Sequence, residues 1–206
     1  MEKYIYTNNF SLSREVCIDL IELFEKEERK YAGITHGGLQ KNIKDTMDFV
    51  IPENEPKWYK YYQLFQNELT RNLNIYINKL NENPCFQNIN QNTTNIFKHF
   101  ENSKISHSIF MLQRYIMNEG RYVYHHDFSI DQKNKKHRII TYLWYLNDVE
   151  EGGETNFPDL NLNVKPEMGK LLLFPASWDF PHCGKTPISS NKYIVTGWLY
   201  QDIPNK

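Results

Sequence analysis

Cysteine is scarce and scattered: Cys17, Cys85 and Cys183 are odd in number, and none belongs to a C-x-x-C pair. This excludes a zinc knuckle and a disulfide framework and points to a reducing, cytosol-like compartment. Long apolar runs are missing as well. No stretch of about 18 consecutive apolar residues occurs, and the opening MEKYIYTNNF is polar. Neither a signal peptide nor a membrane span is therefore expected, and the chain reads as soluble and cytoplasmic. Charge of one sign is lacking too: 24 Lys and Arg against 25 Asp and Glu give a formal net charge of -1. Without a dense basic run, no nucleic-acid partner is expected. No internal repeat is present. What remains is 206 residues, most simply one domain with a well-buried core.

Residues 4–10 alternate loosely, as an edge strand would, and lead to Ser11 or Ser13, either of which can cap a helix. From Glu15 to about Arg29, Val16, Ile18, Leu20, Ile21, Leu23 and Phe24 form one broad helical stripe. Residues 31–56 carry glycines and prolines without sustained periodicity and read as loop with short extended pieces. A second helix is expected from just after Pro56 to about Asn81, where Trp58, Tyr61, Tyr62, Phe65, Leu69, Leu73, Ile77 and Leu80 recur at three- and four-residue steps. Both helices read as scaffold covering one face of a sheet. The Asn- and Gln-rich stretch 81–95 reads as a solvated connection, and 31–56 or 81–105 as a candidate flap near a site.

From about Ser106 the texture changes to short strands: 107–117, 122–128, 137–148, 154–157, 162–166, 170–175 and 192–200. Strands after a helical preface fit an α+β chain whose sheet is a barrel or double-sheet jelly roll, with inward residues enclosing a ligand. The expected division is 1–105 as a helical support region and 106–202 as the β core.

His125 and Asp127 stand two apart, and on an extended strand residues i and i+2 share a face, with His126 on the opposite one. His-x-Asp triplets are common and do not make a metal site alone. His182, distant in sequence after the apolar strand 170–175, supplies the third group of an open two-His, one-carboxylate site, the usual setting of a catalytic non-haem Fe(II). His36, His99, His107 and His137 read as surface or structural residues. Alternation puts Lys192, Ile194, Thr196 and Trp198 on one face. A lysine there either meets an anionic partner or snorkels to solvent. Thr141, Leu143 and Tyr145 share a face of another strand and can line the same cavity. Tyr124 and Trp178 are candidates for its mouth.

The order of these residues carries a resemblance. Tyr115, Gly120-x-Tyr122-x-x-His125-x-Asp127, Arg138-x-x-Thr141, Tyr145-Leu146-Asn147, Gly152-Gly153-Glu154-Thr155-x-Phe157, Pro166-x-x-Gly169, Phe174-Pro175, His182, Pro187, Lys192 and Trp198 follow one another as in the prolyl 4-hydroxylase group of 2-oxoglutarate- and Fe(II)-dependent dioxygenases. The chain resembles that group over roughly residues 107–200, while the N-terminal half adds no motif. The resemblance implies a double-stranded β-helix (jelly-roll) core with the N-terminal helices packed on one sheet. It implies Fe(II) on His125, Asp127 and His182, with Lys192 pairing the far carboxylate of 2-oxoglutarate. It also implies Tyr145 and Tyr115 as hydrogen-bonding phenols, Thr196 and Trp198 as flanking residues, O2 as cosubstrate and ascorbate as reductant.

The function so implied is hydroxylation of an aliphatic C–H, with release of succinate and CO2. The expected substrate is a prolyl residue in a peptide or protein. One alternative is a free amino acid or other small molecule. An alternative of another class is a non-catalytic β-barrel binding module, which should have lost one of His125, Asp127, His182 or Lys192.

Overall fold

A computed structural model of the chain describes residues 1–82 and 105–203. The stretch 83–104, which includes Cys85, His99 and most of the second candidate flap, lies outside the described residues. The elements run β1 (Tyr6–Asn8), α1 (Arg14–Lys26), β2 (Tyr31–Ala32), β3 (Lys44–Asp45), β4 (Met47–Val50), α2 (Pro56–Asn81), β5 (Ile105–His107), β6 (Met111–Tyr115), β7 (Arg121–His125), β8 (Ile130–Asp131), β9 (Lys136–Tyr145), β10 (Thr155–Phe157), β11 (Leu162–Val164), β12 (Leu171–Pro175), β13 (His182–Gly184) and β14 (Lys192–Asp202).

Both helices lie where periodicity placed them. Ser13 caps α1, its hydroxyl accepting from the Val16 amide at 3.4 Å. Helix α1 ends at Lys26, before the expected Arg29, because Glu27 leaves helical geometry with ψ 128°. Its buried carboxylate instead receives Arg29 Nε at 2.7 Å and Lys57 Nζ at 2.9 Å.

The strands build two sheets. One runs β1-β12-β9-β14-β6-β4-β2, with β5 also on β14 and β8 also on β9; the other runs β11-β10-β13-β7-β3. The residues before 82 thus contribute β1, β2 and β4 to the first sheet and β3 to the second, so the sheets draw on both sides of the expected division at 105. The run 107–117 is split, since β5 pairs with Leu199–Gln201 and β6 with Lys192–Thr196. Between them Phe110 turns into the aromatic core under the helices, 5.2 Å from the rings of Tyr62 and Phe65.

Alternation sorts each central strand between two cores. On β12, Leu171 and Leu173 face the helices with Trp144 and Val195, while Leu172 and Phe174 face the space between the sheets with Ile194 and Phe157. The continuous run LLLF is apolar because both of its faces are covered.

A polar knot ties α2 to β1. Asn72, fully buried, accepts at Oδ1 from Tyr6 Oη (2.9 Å) and Asn8 Nδ2 (2.8 Å) and donates to the Glu68 carbonyl at 2.8 Å. Truncating it strands those donors. Asn72→Ala should lower unfolding stability by about 1–3 kcal/mol, read as a lower urea midpoint with an unchanged m-value; an unchanged midpoint would show that the knot contributes nothing.

Candidate active site

A cavity of about 610 Å³ opens between the sheets. His125 ends β7 and lies directly across from His182 on β13. Asp127 lies beyond the end of β7, not on the strand as the i, i+2 pattern supposed, but it still reaches the same point. Its Oδ1 is 3.7 Å from His125 Nε2 and its Oδ2 is 3.5 Å from His182 Nε2. Among the described residues this is the one group of three or more His, Cys, Asp or Glu side chains close enough to hold a metal ion. His126, expected on the opposite face, is exposed but lines the cavity rim, because the chain leaves strand geometry after His125.

Neighbours fix the ligand atoms. His125 Nδ1 is 2.8 Å from the Val123 carbonyl and His182 Nδ1 is 3.0 Å from that of Phe180. A carbonyl only accepts, so each Nδ1 carries a proton, and each ring presents its Nε2 toward Asp127 as the atom available to a metal. Tyr122 stacks on the His125 ring at 3.6 Å between centroids. Burial, reinforced by His182 alongside, pushes the His125 imidazole down to about 4 and keeps it neutral near pH 7. Burial would raise the Asp127 carboxyl, but His182, His125 and the Thr141 hydroxyl, which donates to Oδ2 at 2.7 Å, outweigh it and hold it below its ordinary range. Two imidazoles and one carboxylate turned to one point, with a cavity on the open side, fit an Fe(II) that keeps free positions.

Two buried lysines stand in the cavity wall and differ in one respect. Lys44 is neutralised by Asp48 at 2.6 Å, whose carboxylate also accepts from Thr46 (2.7 Å) and Gln113 (3.1 Å). Lys192, 1% exposed, has no carboxylate partner among the described residues; its Nζ donates to the Gly153 carbonyl at 3.0 Å and sits 3.9 Å from the centroid of Tyr115, its partner across β6 and β14. Burial pushes this ammonium down to about 7, against the opposing influence of Cys183 and Glu154. An unpaired buried cation facing a cavity fits an anionic ligand. The open choice between anion and solvent is thereby narrowed, since the lysine does not snorkel out.

The other sequence candidates divide. Tyr115, Thr196 and Trp198 line the cavity, as do Thr141 and Leu143. Tyr145 does not: it is fully buried behind the wall, its hydroxyl bonded to Thr155 Oγ1 at 2.6 Å, and Thr155 is the residue that lines the cavity instead. Tyr124 and Trp178 are exposed but do not line it; Ile34, His36 and Phe128 stand at the rim. Arg138 also lines the cavity, with its guanidinium 3.6 Å above the Trp198 ring and Nε donating to Tyr200 Oη at 3.1 Å. Lys44 and Gln113 were missed because they arrive through pairings distant in sequence. Tyr122, Arg138 and Thr155 stood inside the quoted motif without a role that spacing could assign.

Residues 110–200 match the family described as the 2OG-Fe(II) oxygenase superfamily. Among curated relatives, a probable prolyl 4-hydroxylase 3 of Arabidopsis thaliana is 37% identical over 39% of this chain and 38% of its own length. Prolyl 4-hydroxylase subunit alpha-1 of Gallus gallus is 29% identical over 40% of this chain and 19% of its own length. The chain therefore spans about two fifths or less of these relatives. Among solved structures, the viral collagen prolyl hydroxylase of Paramecium Bursaria Chlorella virus-1 in its 2OG complex aligns over 96% of both chains with TM-score 0.64 and 20% identity. A Trichoplax adhaerens prolyl hydroxylase, in complex with a hypoxia inducible factor oxygen degradation domain peptide fragment, aligns over 97% of this chain and 84% of its own with TM-score 0.66 and 19% identity. This likeness gives the chain the double-stranded β-helix fold of these neighbours, and in this chain both helices pack on the first sheet. Over residues 110–200 the chain is thus similar to the 2OG-Fe(II) oxygenase superfamily and, within it, to prolyl 4-hydroxylases.

Proposed function

We propose that the protein is an Fe(II)- and 2-oxoglutarate-dependent dioxygenase that hydroxylates a prolyl residue in a peptide or protein. The observation that carries this is the pairing of the His125, Asp127 and His182 cluster with an unneutralised buried lysine in one cavity wall. His125, Asp127 and His182 would hold the metal, and Lys192 the far carboxylate of the cosubstrate by a charge-assisted hydrogen bond. Bound Fe(II) and 2-oxoglutarate supply O2-driven oxidation of an aliphatic C–H to C–OH, with release of succinate and CO2.

The chain's own residues supply placement. Thr141 orients the Asp127 carboxylate, Tyr122 and the Val123 carbonyl fix the His125 ring, and Ile194, Leu143 and Phe174 give the cavity an apolar wall that limits water. At the mouth, Ile34 and Phe128 offer exposed apolar surface beside Arg138, a surface suited to a prolyl ring flanked by peptide carbonyls. The names of the relatives and the peptide bound to the Trichoplax neighbour support a peptide substrate.

The test is succinate release from 2-oxoglutarate with Fe(II) and O2, with and without a proline-rich peptide, together with peptide mass. Expected are peptide-stimulated turnover and a mass gain of one oxygen on proline. Turnover that no peptide stimulates, but a free amino acid does, would move the substrate to the small-molecule class. No turnover and no cosubstrate binding would leave a binding module.

A further inference from the structure

We propose that Gly153 is a positioning residue, whose carbonyl aims the Lys192 ammonium and so sets the preference for a 2-oxo acid with a second carboxylate; this rests on the pocket reading above. Gly152 and Gly153 both adopt left-handed backbone, φ 73° and 75°. That turn presents the Gly153 carbonyl to Lys192 Nζ at 3.0 Å. An ammonium has three N–H donors. One goes to this carbonyl, the face of the Tyr115 ring covers a second direction, and the cavity that Lys192 lines receives the third.

The turn is held in place by the segment that joins β13 to β14. Backbone hydrogen bonds run from Lys185 N to Glu154 O (2.9 Å), Gly153 N to Thr186 O (3.0 Å) and Ile188 N to Glu151 O (2.8 Å). This small ladder fastens the turn to the chain segment that leads from the strand carrying His182 to the strand carrying Lys192.

The two glycines respond differently to a side chain. A β-carbon at Gly152 would meet the Thr186 carbonyl at 2.4 Å, which forces the ladder itself to move. At Gly153 the neighbours, Val149, Pro166 and Pro187, stand at 3.3–3.4 Å, so the obstacle is mainly the left-handed backbone. Alanine there relaxes by turning the following peptide, which takes the carbonyl off Lys192. Asparagine tolerates the left-handed region and should leave the carbonyl where it is.

The experiment is calorimetric titration of the Mn(II)-loaded full chain with 2-oxoglutarate and with 2-oxobutyrate, which shares the 2-oxo acid head but lacks the far carboxylate. Wild type should prefer 2-oxoglutarate. Gly153→Ala should lose roughly 10-fold in 2-oxoglutarate affinity, the size of one charge-assisted hydrogen bond, with 2-oxobutyrate and Mn(II) affinities unchanged. Gly153→Asn should retain the wild-type preference. Equal losses for both acids in Gly153→Ala, undiminished preference in that variant, or loss of preference in a Mn(II)-competent Gly153→Asn would each overturn the positioning role. If wild type itself does not discriminate between the acids, the reading of the pocket fails first, and the positioning role with it.

Discussion

Lys192→Met should weaken 2-oxoglutarate binding by roughly 30-fold or more, because it removes one partner of a buried charge pair, while leaving metal affinity unchanged. The same substitution should stabilise the free protein. Folding takes the Lys192 ammonium from 10.5 down to about 7, so below pH 7 the native state bears the full cost of keeping it charged without a counter-ion. That cost fades as pH rises from about 7 toward 10.5, where the unfolded chain also releases the proton. The stability advantage of the methionine variant should therefore be largest below pH 7 and shrink above it, as urea unfolding across that range would show. A variant less stable than wild type at pH 6 would contradict it.

Binding of the dicarboxylate carries the opposite pH signature. It prefers the ammonium, and in the free protein Tyr115, Cys183 and Glu154 are the titratable groups facing Lys192. Above pH 7 the lysine must recover a proton on binding, so wild-type affinity should fall toward about 10-fold per pH unit, and Lys192→Met should flatten that profile.

The second large effect is expected at Asp127. Asp127→Ala removes the only anion of the cluster and should reduce Fe(II) or Mn(II) affinity by more than about 100-fold, beyond what loss of an outer-shell partner costs. Thr141→Val keeps the carboxylate but removes the hydroxyl that orients it at 2.7 Å, and about 10-fold is expected. Competition with a fluorescent chelator measures both. Wild-type affinity in Asp127→Ala would place the metal elsewhere.

Much of this site is legible in the sequence because alternation is a local rule. Lys192, Ile194, Thr196 and Trp198 share a face on β14 and reach the cavity or its core, and the interleaved Val195 faces the helices. The same rule erred at Tyr145, whose face is right but whose phenol is taken by Thr155, a neighbour brought by packing rather than by spacing. It erred at His126 because β7 ends one residue earlier. Lys44 and Asp48 were out of reach for another reason: strands of two to four residues carry too little periodicity to be recognised, and they exist because the pairings of β3 with β7 and β4 with β6 complete their hydrogen bonds. The helices, with six and eight apolar residues in register, were placed closely at their starts, and α1 ended early only because of the Glu27 ion pairs.

The most direct measurement is an anaerobic titration of the metal-free chain with Fe(II), followed by 2-oxoglutarate, in wild type and His182→Ala. Expected are one Fe(II) per chain and one 2-oxoglutarate that binds only after the metal, with both lost in the variant. Tight 2-oxoglutarate binding without metal, or undiminished Fe(II) binding in His182→Ala, would contradict an iron site built from His125, Asp127 and His182.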